Sequence, residues 1–346
     1  MGDVAGVGPE VIVRACSDRR VRDWCRPLVV GHPQVLRRAA DLIQPGVKIV
    51  PLKTLDDLEH PHDVIPCWNP ADDEAAAVAP GVLDRRAGRA AFDYLVAATH
   101  AAIDGRVDAV TTAPLNKAAL HSAGLPYPGH TEILAEVCGV EKFAMMLYLP
   151  SGPFIPSPHG LGVAHVTLHT SIRSVPGLLS PAAVQGTIEL LARFMGGVGC
   201  REPRIAVCAL NPHAGENGLF GDEEQRVISP AVSAASASGI DTTGPLPADT
   251  LLKRAVAGEF DGVAAMYHDQ GHIALKLIGF DRAVNVTLGL PIIRTSPSHG
   301  TAFDIAWSGK AQADGMLEAL RVASLLAQHR REHSPPSPQP NLKSEA

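Results

Sequence analysis

The sequence predicts an α/β protein built as two α/β/α domains with a cleft between them. Short apolar runs, typical of buried strands, alternate with amphipathic helical segments along the chain. A chain of 346 residues is too long for one ordinary core, which indicates two domains. Several apolar runs end in histidine or other polar residues, as strands of α/β proteins do where they border a site.

The predicted first domain is discontinuous and combines residues 1–125 with residues 295–330. Residues 126–294 form the second domain, which carries most of the candidate metal and substrate residues. Residues 331–346 are rich in proline and poor in apolar residues, so we expect a disordered tail.

The chain begins with a glycine-rich turn, residues 2–8, that leads into a helix. Pro9 suits the first helical position, and Val11 begins the apolar side of the helix. Such a turn normally follows a strand. We therefore expect either that this strand is absent or that the true start lies upstream.

The remaining elements follow in alternation. Strands are predicted at residues 27–31, 47–51, 108–112, 143–149, 162–167, 204–210, 262–266 and 283–286. Helices are predicted at residues 33–42, 88–103, 114–123, 131–138, 181–194, 222–238, 250–257 and 311–327. Residues 52–80 contain prolines and an acidic run, which predict an irregular segment, an excursion from the regular elements that carries no catalytic or binding residues. The alternation indicates a largely parallel sheet.

Composition excludes several classes of partner. A net charge of -6 gives no reason to expect nucleic acid or an anionic membrane, and 4% aromatic residues disfavour a base-stacking platform. No apolar run is long enough to cross a bilayer, and no signal peptide is visible. The six cysteines are scattered without a CxxC pair, so they predict core thiols in a reducing cytoplasm.

Histidines form the first candidate constellation. His165, His213 and His268 each follow a predicted strand, and if those strand ends meet, three imidazoles make a metal site with room for substrate oxygens. A single histidine is more often structural than a ligand, but three in equivalent places favour a site. His268 and His272 stand four apart and would pair on a helix, although Gly271 between them argues against a continuous helix. Such a site suits Zn, Co, Ni or Mn, or Mg with substrate oxygens.

The second constellation is cationic and polar. Lys276 and Arg294 follow apolar segments and are candidates for binding a phosphate or carboxylate. Asn285 lies at a strand end, and His130 and Thr131 stand where a helix begins, a place that attracts anions. The alternative is that Lys276 and Arg294 are solvated surface charges. Glycines near both residues favour a position in a cleft instead.

Several long motifs closely resemble the 4-hydroxythreonine-4-phosphate dehydrogenase family, over nearly the whole chain up to about residue 327. They are Gly2-Asp3…Gly6-Val7-Gly8-Pro9-Glu10, Thr112-Ala113-Pro114-Leu115-Asn116-Lys117, Gly129-His130-Thr131-Glu132, Asn211-Pro212-His213-Ala214-Gly215-Glu216, Tyr267-His268-Asp269-Gln270-Gly271 and Asn285-Val286-Thr287-Leu288-Gly289-Leu290-Pro291. The stretch His299-Gly300-Thr301-Ala302 also resembles the cofactor loop of isocitrate and isopropylmalate dehydrogenases, which share that fold. A GxGxxG motif after an early strand is missing, so a Rossmann cofactor site has no support.

The resemblance implies roles for the candidate residues. Metal ligands would be His165, His213 and His268; substrate contacts would be His130, Thr131, Lys276, Asn285 and Arg294. The cofactor, NAD or NADP, would contact His299, Gly300, Thr301 and Asp304. Lys276 and Asp249 are the implied catalytic residues, the latter for proton handling or orientation. The family is implied to be a homodimer whose active sites take metal ligands from both subunits, with one divalent metal (Zn, Co, Mn or Mg) in each.

The implied reaction oxidises a secondary alcohol of a 4-phosphorylated hydroxy acid, and the resulting 3-oxo acid loses carbon dioxide. The resemblance implies one of two kinds of substrate: 4-phosphooxy-L-threonine, used in pyridoxine biosynthesis, or an acid-sugar phosphate, D-threonate or D-erythronate 4-phosphate. His272-Ile273-Ala274 resembles the acid-sugar branch, because the vitamin B6 enzymes typically carry Leu-Pro there. Trp307 replaces an expected small residue after the cofactor loop, so we expect that loop to be altered.

Two other function classes remain open. A metal-dependent hydrolase would use the same histidines and work without NAD. A non-catalytic ligand-binding protein would keep its affinity after His268→Ala and never reduce a cofactor. Absorbance of reduced nicotinamide in the presence of substrate, NAD and metal separates all three classes.

Overall fold

The protein is described by a computed structural model covering residues 1–58 and 64–333. Its strands are β1 (Val29–Val30), β2 (Lys48–Leu52), β3 (Val64–Trp68), β4 (Ala109–Thr111), β5 (Ala144–Leu149), β6 (Leu161–His165), β7 (Ile205–Cys208), β8 (Thr242–Leu246), β9 (Gly262–Ala265), β10 (Val284–Leu288) and β11 (Ile293–Pro297).

The helices of the same residues lie between and after these strands. They are α1 (Gly8–Ser17), α2 (Arg19–Trp24), α3 (Pro33–Ile43), α4 (Arg85–Ile103), α5 (Lys117–Ser122), α6 (His130–Val137), α7 (Val175–Leu178), α8 (Pro181–Gly197), α9 (Ser229–Ala237), α10 (Ala248–Val256), α11 (His268–Gly279) and α12 (Asp314–His333). Short 3-10 turns span Leu55–Asp57, Glu74–Ala77 and Ile172–Ser174, a turn with left-handed backbone spans Pro212–Gly218, and a π-helical turn spans Glu224–Ile228.

The strands form two sheets. The larger has the order β4-β11-β10-β5-β6-β9-β7-β8, and the smaller, all-parallel one has the order β1-β3-β2. The predicted α/β class is confirmed. The prediction of a largely parallel sheet is wrong for the middle of the larger sheet, where β10 runs antiparallel to both β11 and β5, and β5 runs antiparallel to β6.

Strand β5 shows how the larger sheet is held together. Its six residues are all buried, and alternate side chains point to opposite faces. Met146 and Tyr148 pack among side chains of α8, α9 and α12, whereas Leu147 and Leu149 pack among those of α10 and α11. Each such apolar side chain contributes about 1.5–3 kcal/mol by leaving water. This two-sided burial explains why the strand is a continuous apolar run in the sequence.

The larger sheet runs through both predicted domains. Strands β4 and β11 carry residues assigned to the first domain, yet β11 hydrogen-bonds directly to β10 of the second. A cavity of about 120 Å³ lies between the two sheets and is lined by Val29, Val30, Val110 and Thr111. The domain division and the expected missing strand stay predictions.

Several elements were not predicted, among them strand β8 and helices α2 and α7, and for three departures the structure shows a local reason. Strand β3 lies in the segment expected to be irregular, where Pro66 argued against a strand. Strand β11 is fully buried although it contains arginine, threonine and serine. Helix α11 continues through Gly271, so the argument against a helix there was wrong: a Cβ at Gly271 would lie 2.6 Å from His165 Nε2, and glycine permits this close approach.

The end of the chain is only partly described. Helix α12 extends to His333, so the first three residues of the predicted tail are helical. The rest of that tail, residues 334–346, lies outside the described residues, as do residues 59–63 of the predicted excursion. Among residues 1–58 and 64–333, none of the helices combines the length and apolarity that a membrane crossing requires.

Candidate active site

A cleft of about 230 Å³ lies where β10, β11 and the first turns of α6 and α11 meet. It is lined by Pro114, Leu115, Lys117, Gly129, His130, Thr131, Glu132, Met145, His169, His268, His272, Lys276, Asn285, Arg294, Ser296, Pro297, Ser298, His299 and Gly300. The structure therefore brings together all five predicted substrate residues, one predicted metal ligand and two predicted cofactor residues.

Arg294 is the most deeply buried charge in this cleft, with 2% of its surface exposed. Its guanidinium donates hydrogen bonds to Thr112 Oγ1 at 2.7 Å and Thr287 Oγ1 at 3.1 Å, and its Nε has no partner. Burial lowers the pKa of Arg294 to about 10, so it remains charged at pH 7. A buried charge held only by neutral hydroxyls is costly, which indicates a site for an anion.

Other buried polar atoms in the cleft also lack partners. They are Asn285 Oδ1, His299 Nε2 and Glu132 Oε2. With Arg294 Nε, they make four of the eight such atoms found among the described residues. Because buried polar groups are nearly always hydrogen-bonded, their convergence on one cleft indicates a polar ligand.

The start of α6 adds a second anion-attracting feature. His130 is its first residue, Thr131 is buried, and the amides of the first turn have no partners within the helix. Burial, and after it the positive charge of Arg294, hold the pKa of His130 well below its ordinary value, so this imidazole is neutral at pH 7. Lys117 and Lys276 also line the cleft.

The imidazoles gather on the side formed by α11. His268 begins this helix, and its Nδ1 lies 2.7 Å from Asp269 Oδ1, so Nδ1 donates to the carboxylate and Nε2 is left free. Its ring stacks on that of His272 with centroids 3.8 Å apart. The ring of His169, a half-exposed residue beyond β6, lies 5.4 Å from the ring of His268.

Both ring nitrogens of His165 have hydrogen-bond partners within the chain. Nδ1 is hydrogen-bonded to Met145 O at 3.0 Å, and Nε2 lies 3.1 Å from His272 Nδ1. Burial lowers the pKa of His165 to about 4 and that of His272 to about 2, so both rings are neutral at pH 7. The register of β5 and β6, which pairs Met145 with His165, fixes this contact.

His213 lies apart from the other imidazoles within one chain. It is exposed on a turn in which residues 213–217 all have positive φ, and only Gly215 among them is glycine. Left-handed backbone costs about 1–2 kcal/mol for each other residue. The buried Glu224 holds this turn by accepting from the amides of Leu210 and Asn211 at 2.8 Å. Such maintained strain is typical of functional positions.

The remaining predicted residues lie outside the cleft of one chain. Asp249 is exposed in the first turn of α10. Thr301 packs against Gly6 and accepts a hydrogen bond from the amide of Val7, which docks the predicted cofactor loop onto the glycine-rich turn. Asp304 is exposed on the same loop.

Trp307 also anchors this loop. Its indole Nε1 donates to Val4 O at 3.1 Å, and the Arg38 guanidinium lies 4.6 Å from its ring centre. Its amide donates to the buried Glu10 carboxylate, which also accepts from Gly309. Trp307 therefore attaches the predicted cofactor loop to the first residues of the chain.

The sequence patterns did not single out His169, Glu132, Thr112 or Thr287. Glu132 and the two threonines stand inside motifs that were recognised, so position in those motifs was the available signal. His169 stands four residues after His165, a spacing that carries no signal beyond a predicted strand. Among residues 1–58 and 64–333, no group of three or more His, Cys, Asp or Glu side chains is arranged to hold a metal within one chain.

Fold and cleft together define an α/β protein with a buried, cationic site for a small anionic ligand. The chain belongs to the family described as Pyridoxal phosphate biosynthetic protein PdxA, which it matches over residues 23–323. It is accordingly a dehydrogenase. This confirms the family predicted from the motifs.

Named relatives fall into two groups. The chain is 44% identical to D-threonate 4-phosphate dehydrogenase of Pectobacterium atrosepticum over 333 residues, covering 94% of this chain and 98% of that protein. It is also 44% identical to 4-hydroxythreonine-4-phosphate dehydrogenase of Geobacter metallireducens, with 94% of each chain covered. The crystal structure of 4-hydroxythreonine-4-phosphate dehydrogenase from Klebsiella pneumoniae matches with a TM-score of 0.82 and 43% identity, over 95% of this chain and 98% of that one.

Proposed function

We propose that the protein catalyses the NAD(P)-dependent, divalent-metal-assisted oxidation and decarboxylation of a 4-phosphorylated hydroxy acid. The observation that carries this proposal is the buried Arg294 guanidinium, whose Nε is unpaired in a cleft with three other unpaired polar atoms. A substrate with both anionic oxygens and hydroxyl groups would satisfy such a site, because Arg294 Nε donates a hydrogen bond whereas Asn285 Oδ1 and Glu132 Oε2 accept one. The names of the relatives supply the class of substrate.

The cleft offers two places for the two anionic ends of the substrate. Arg294 lies on β11, supported by threonine hydroxyls, and can bind two oxygens at once. The start of α6 with His130 and Thr131 faces the same cleft and offers free amides. Asn285 Oδ1 can accept from a substrate hydroxyl. Holding both ends fixes the orientation of the carbon chain between them.

The residues present fit a divalent metal. His268 presents a free Nε2 and is oriented by Asp269, an arrangement typical of metal ligands. His165 donates Nδ1–H to the carbonyl of Met145, an arrangement of the same kind, and would use Nε2, which lies 3.1 Å from His272 Nδ1. His213 would complete the set from a second subunit, and His169, beside His268, is a further candidate. When bound, the metal would stabilise negative charge on substrate oxygen.

Exposed apolar side chains support a homodimer with shared active sites. Ile273, Leu277 and Phe280 lie along the outer side of α11, with 57%, 82% and 47% of their surfaces exposed. Further exposed apolar residues flank His169 and His213: Ile172 and Leu178, and Leu219 and Phe220. An apolar surface around an incomplete site favours a second copy that covers the surface and completes the site. Asp249 lies outside the cleft of its own chain, so the second subunit would also have to supply Asp249 for the proposed proton-handling role.

The loop of residues 299–304 is proposed to hold NAD or NADP. His299 Nε2 is buried without a partner, and the neighbouring Gly300 has open space where a side chain would lie. Both residues line the cleft, so the nicotinamide would be placed beside the substrate. Bound NAD(P) would accept the hydride.

The proposed reaction has two steps. The C3–H bond breaks and its electron pair leaves as hydride, while the C3 hydroxyl gives its proton to Asp249, the proposed proton-handling residue, and becomes a carbonyl. The bond between C1 and C2 then breaks, carbon dioxide leaves, and the electron pair stays on C2 as an enolate. Lys276, whose side chain reaches the cleft from α11, is proposed to hand a proton to C2. Arg294 keeps the substrate oriented throughout.

The names of the relatives point to two substrates, 4-hydroxythreonine 4-phosphate and D-threonate 4-phosphate. D-erythronate 4-phosphate is the third candidate, from the sequence resemblance. The test is absorbance of reduced nicotinamide with each substrate, NAD or NADP and a divalent metal, with and without chelator. We expect turnover of at least one substrate and its loss with chelator. A protein that turns over none of them, or that hydrolyses them without nicotinamide, would overturn the proposal. All six cysteines are free thiols, which supports placement in a reducing cytoplasm.

A further inference from the structure

The glycine-rich turn at the start of the chain has no part in the proposed function, yet it contacts the predicted cofactor loop. We propose that this turn and helix α1 support the segment 299–309, which contains that loop, and that Glu10 is a positioning residue for the nicotinamide cofactor. This inference rests on the proposed function. Glu10 itself does not line the cleft, so it would act only through the loop.

The glycine-rich turn lies between a segment of the cleft wall and the cofactor loop. On one side the amide of Asp3 donates to Pro114 O at 2.9 Å, and Pro114 lines the cleft. On the other side the amide of Val7 donates to Thr301 O at 3.0 Å, and a Cβ at Gly6 would lie only 2.8 Å from that oxygen. Glycine therefore allows the turn to approach the loop closely.

Glu10 holds the other end of the segment 299–309. Its carboxylate is fully buried in the first turn of α1, and its two oxygens accept from the amides of Trp307 at 2.6 Å and Gly309 at 2.7 Å. One turn further along the same face of α1, the Arg14 guanidinium donates to Gly309 O. Because a buried carboxylate without partners is costly, Glu10 and the backbone of residues 307–309 fix each other in place.

The backbone that Glu10 holds is strained. Trp307 has a φ of 59°, a left-handed conformation that is uncommon for a bulky side chain. Ala302, near the tip of the loop, has a φ of 43°. Residues other than glycine keep such conformations only where their surroundings enforce them, and they concentrate at ligand sites. The contacts from α1 and the glycine-rich turn supply that enforcement here.

The tip of the loop is fixed in place but keeps its capacity to bind. Ser298, just before the tip, donates its hydroxyl to Phe280 O at 3.0 Å, so the loop is anchored at both ends. Between these anchors His299 and Gly300 line the cleft, His299 Nε2 has no partner, and the space around Gly300 is open. A loop that is ordered before its ligand binds avoids the entropic penalty of ordering it then, so these anchors should raise the affinity for the cofactor.

The first experiment measures cofactor affinity without turnover, by fluorescence titration with NADH and NADPH. Glu10→Gln places an NH2 group against a backbone N–H, so it should weaken cofactor binding roughly 10–100-fold. Asp261→Asn is the matched control. Asp261 is also buried and also accepts from a backbone amide, that of Arg204 at 3.0 Å, but it lies outside the cleft lining. This variant should bind cofactor as wild type does.

Steady-state kinetics separate a positioning role from simple stabilisation of the fold. In Glu10→Gln the KM for NAD or NADP should rise on the order of 10–100-fold, because only the cofactor depends on the loop. The KM for the phosphorylated acid that wild type turns over should stay within a few-fold of its wild-type value. Equal rises in the two KM values would show general damage to the cleft and would overturn the inference.

Amide hydrogen exchange examines the loop directly. In cofactor-free wild type the amides of Trp307 and Gly309 should be protected, and in Glu10→Gln they should exchange faster. A folded Glu10→Gln protein that binds cofactor as tightly as wild type overturns the inference. Wild type that binds neither NADH nor NADPH overturns the proposed function instead.

A milder variant covers the case in which Glu10→Gln does not fold. Trp307→Phe keeps both backbone bonds to Glu10 and loses the indole bond to Val4 O. It should raise the cofactor dissociation constant about 2–10-fold and leave the substrate KM unchanged. An unchanged cofactor dissociation constant in Trp307→Phe would then overturn the inference.

Discussion

The two sides of the cleft are built differently. The anion-binding side lies on strands: Arg294 on β11, Asn285 on β10 and Thr112 directly after β4, with Arg294 held inside one chain. On the imidazole side, His169 and His213 stand on exposed loops, and among the described residues no three such side chains are arranged to hold a metal within one chain. The hydrogen bonds of a sheet fix the positions of the side chains on its strands, whereas a loop can change its conformation when a second subunit binds. Under the proposed function, this difference would assign substrate affinity to the single subunit and metal-assisted chemistry to the dimer.

Removing the charge on the strand side should have the largest effect. Arg294→Met should lower kcat/KM on the order of 10²–10⁴-fold, because a buried charge pair with substrate contributes roughly 2–5 kcal/mol. The free protein should not lose stability, because an uncompensated buried charge is removed. Turnover and thermal unfolding without substrate measure the two effects.

Arg282→Met is the control for that variant, because Arg282 is paired with Glu318 at 2.9 Å and lies outside the cleft lining. It should leave kcat/KM within a few-fold of wild type. Equal loss of activity in both arginine variants would contradict the special role of Arg294.

On the other side, a charge on the apolar surface of α11 should separate the subunits. Leu277→Glu places a carboxylate on a side chain that is 82% exposed in one chain, so the monomer should still fold. Burying that charge in an interface costs several kcal/mol, so the dimer should dissociate and activity should become strongly dependent on protein concentration. Sedimentation and activity over a dilution series test this.

Leu42→Glu on α3, where Leu42 is 44% exposed, provides a matched control. It should leave both assembly and activity as in wild type. A Leu277→Glu protein that remains dimeric and fully active would show that this surface is not the interface.

Acid should destabilise the imidazole side. The pKa values of His165 and His272 are lowered by burial to about 4 and about 2, from an ordinary value of 6.5. Below about pH 6.5 the unfolded chain therefore binds protons that the folded one does not, and stability falls as pH falls. Between pH 7 and pH 5 we expect a loss of about 2 kcal/mol for each ring.

Denaturant unfolding at the two pH values, in wild type and in His165→Leu/His272→Leu, measures this contribution. The double variant should lose most of the pH dependence. If the free energy of unfolding of the double variant depends on pH as strongly as that of wild type, other titratable groups cause the pH dependence.

The variant with the smallest expected effect tests the contact between helix α11 and His165. Gly271→Ala should cost about 1–3 kcal/mol in the free energy of unfolding, because its Cβ would overlap His165. Gly186→Ala, in α8 with open space around its Cβ position, should instead stabilise by roughly 0.5–1 kcal/mol. Chemical denaturation of both variants checks the difference, and equal effects would contradict the close approach.

The sequence predicted one side of the cleft better than the other. Runs such as β5 and β9 are apolar on both faces, so their strands were visible, and the motifs brought Arg294 and Asn285 into one site. Strand β11 was missed because the polar residues that serve the cleft interrupt its apolar pattern. Helix α11 was missed because Gly271 signals a break locally, whereas its reason is a contact 106 residues away with His165. No pattern in one chain can show which imidazole a second subunit supplies.

Mixing two inactive variants tests the shared site most directly. His213→Ala and Arg294→Met chains are each expected to be inactive. If each site takes Arg294 from one subunit and His213 from the other, half of the dimers formed on joint refolding are mixed and carry one intact site. The account predicts recovery of about a quarter of wild-type activity in the mixture. A mixture no more active than its parents would contradict it, because it would place both residues of each site in the same chain.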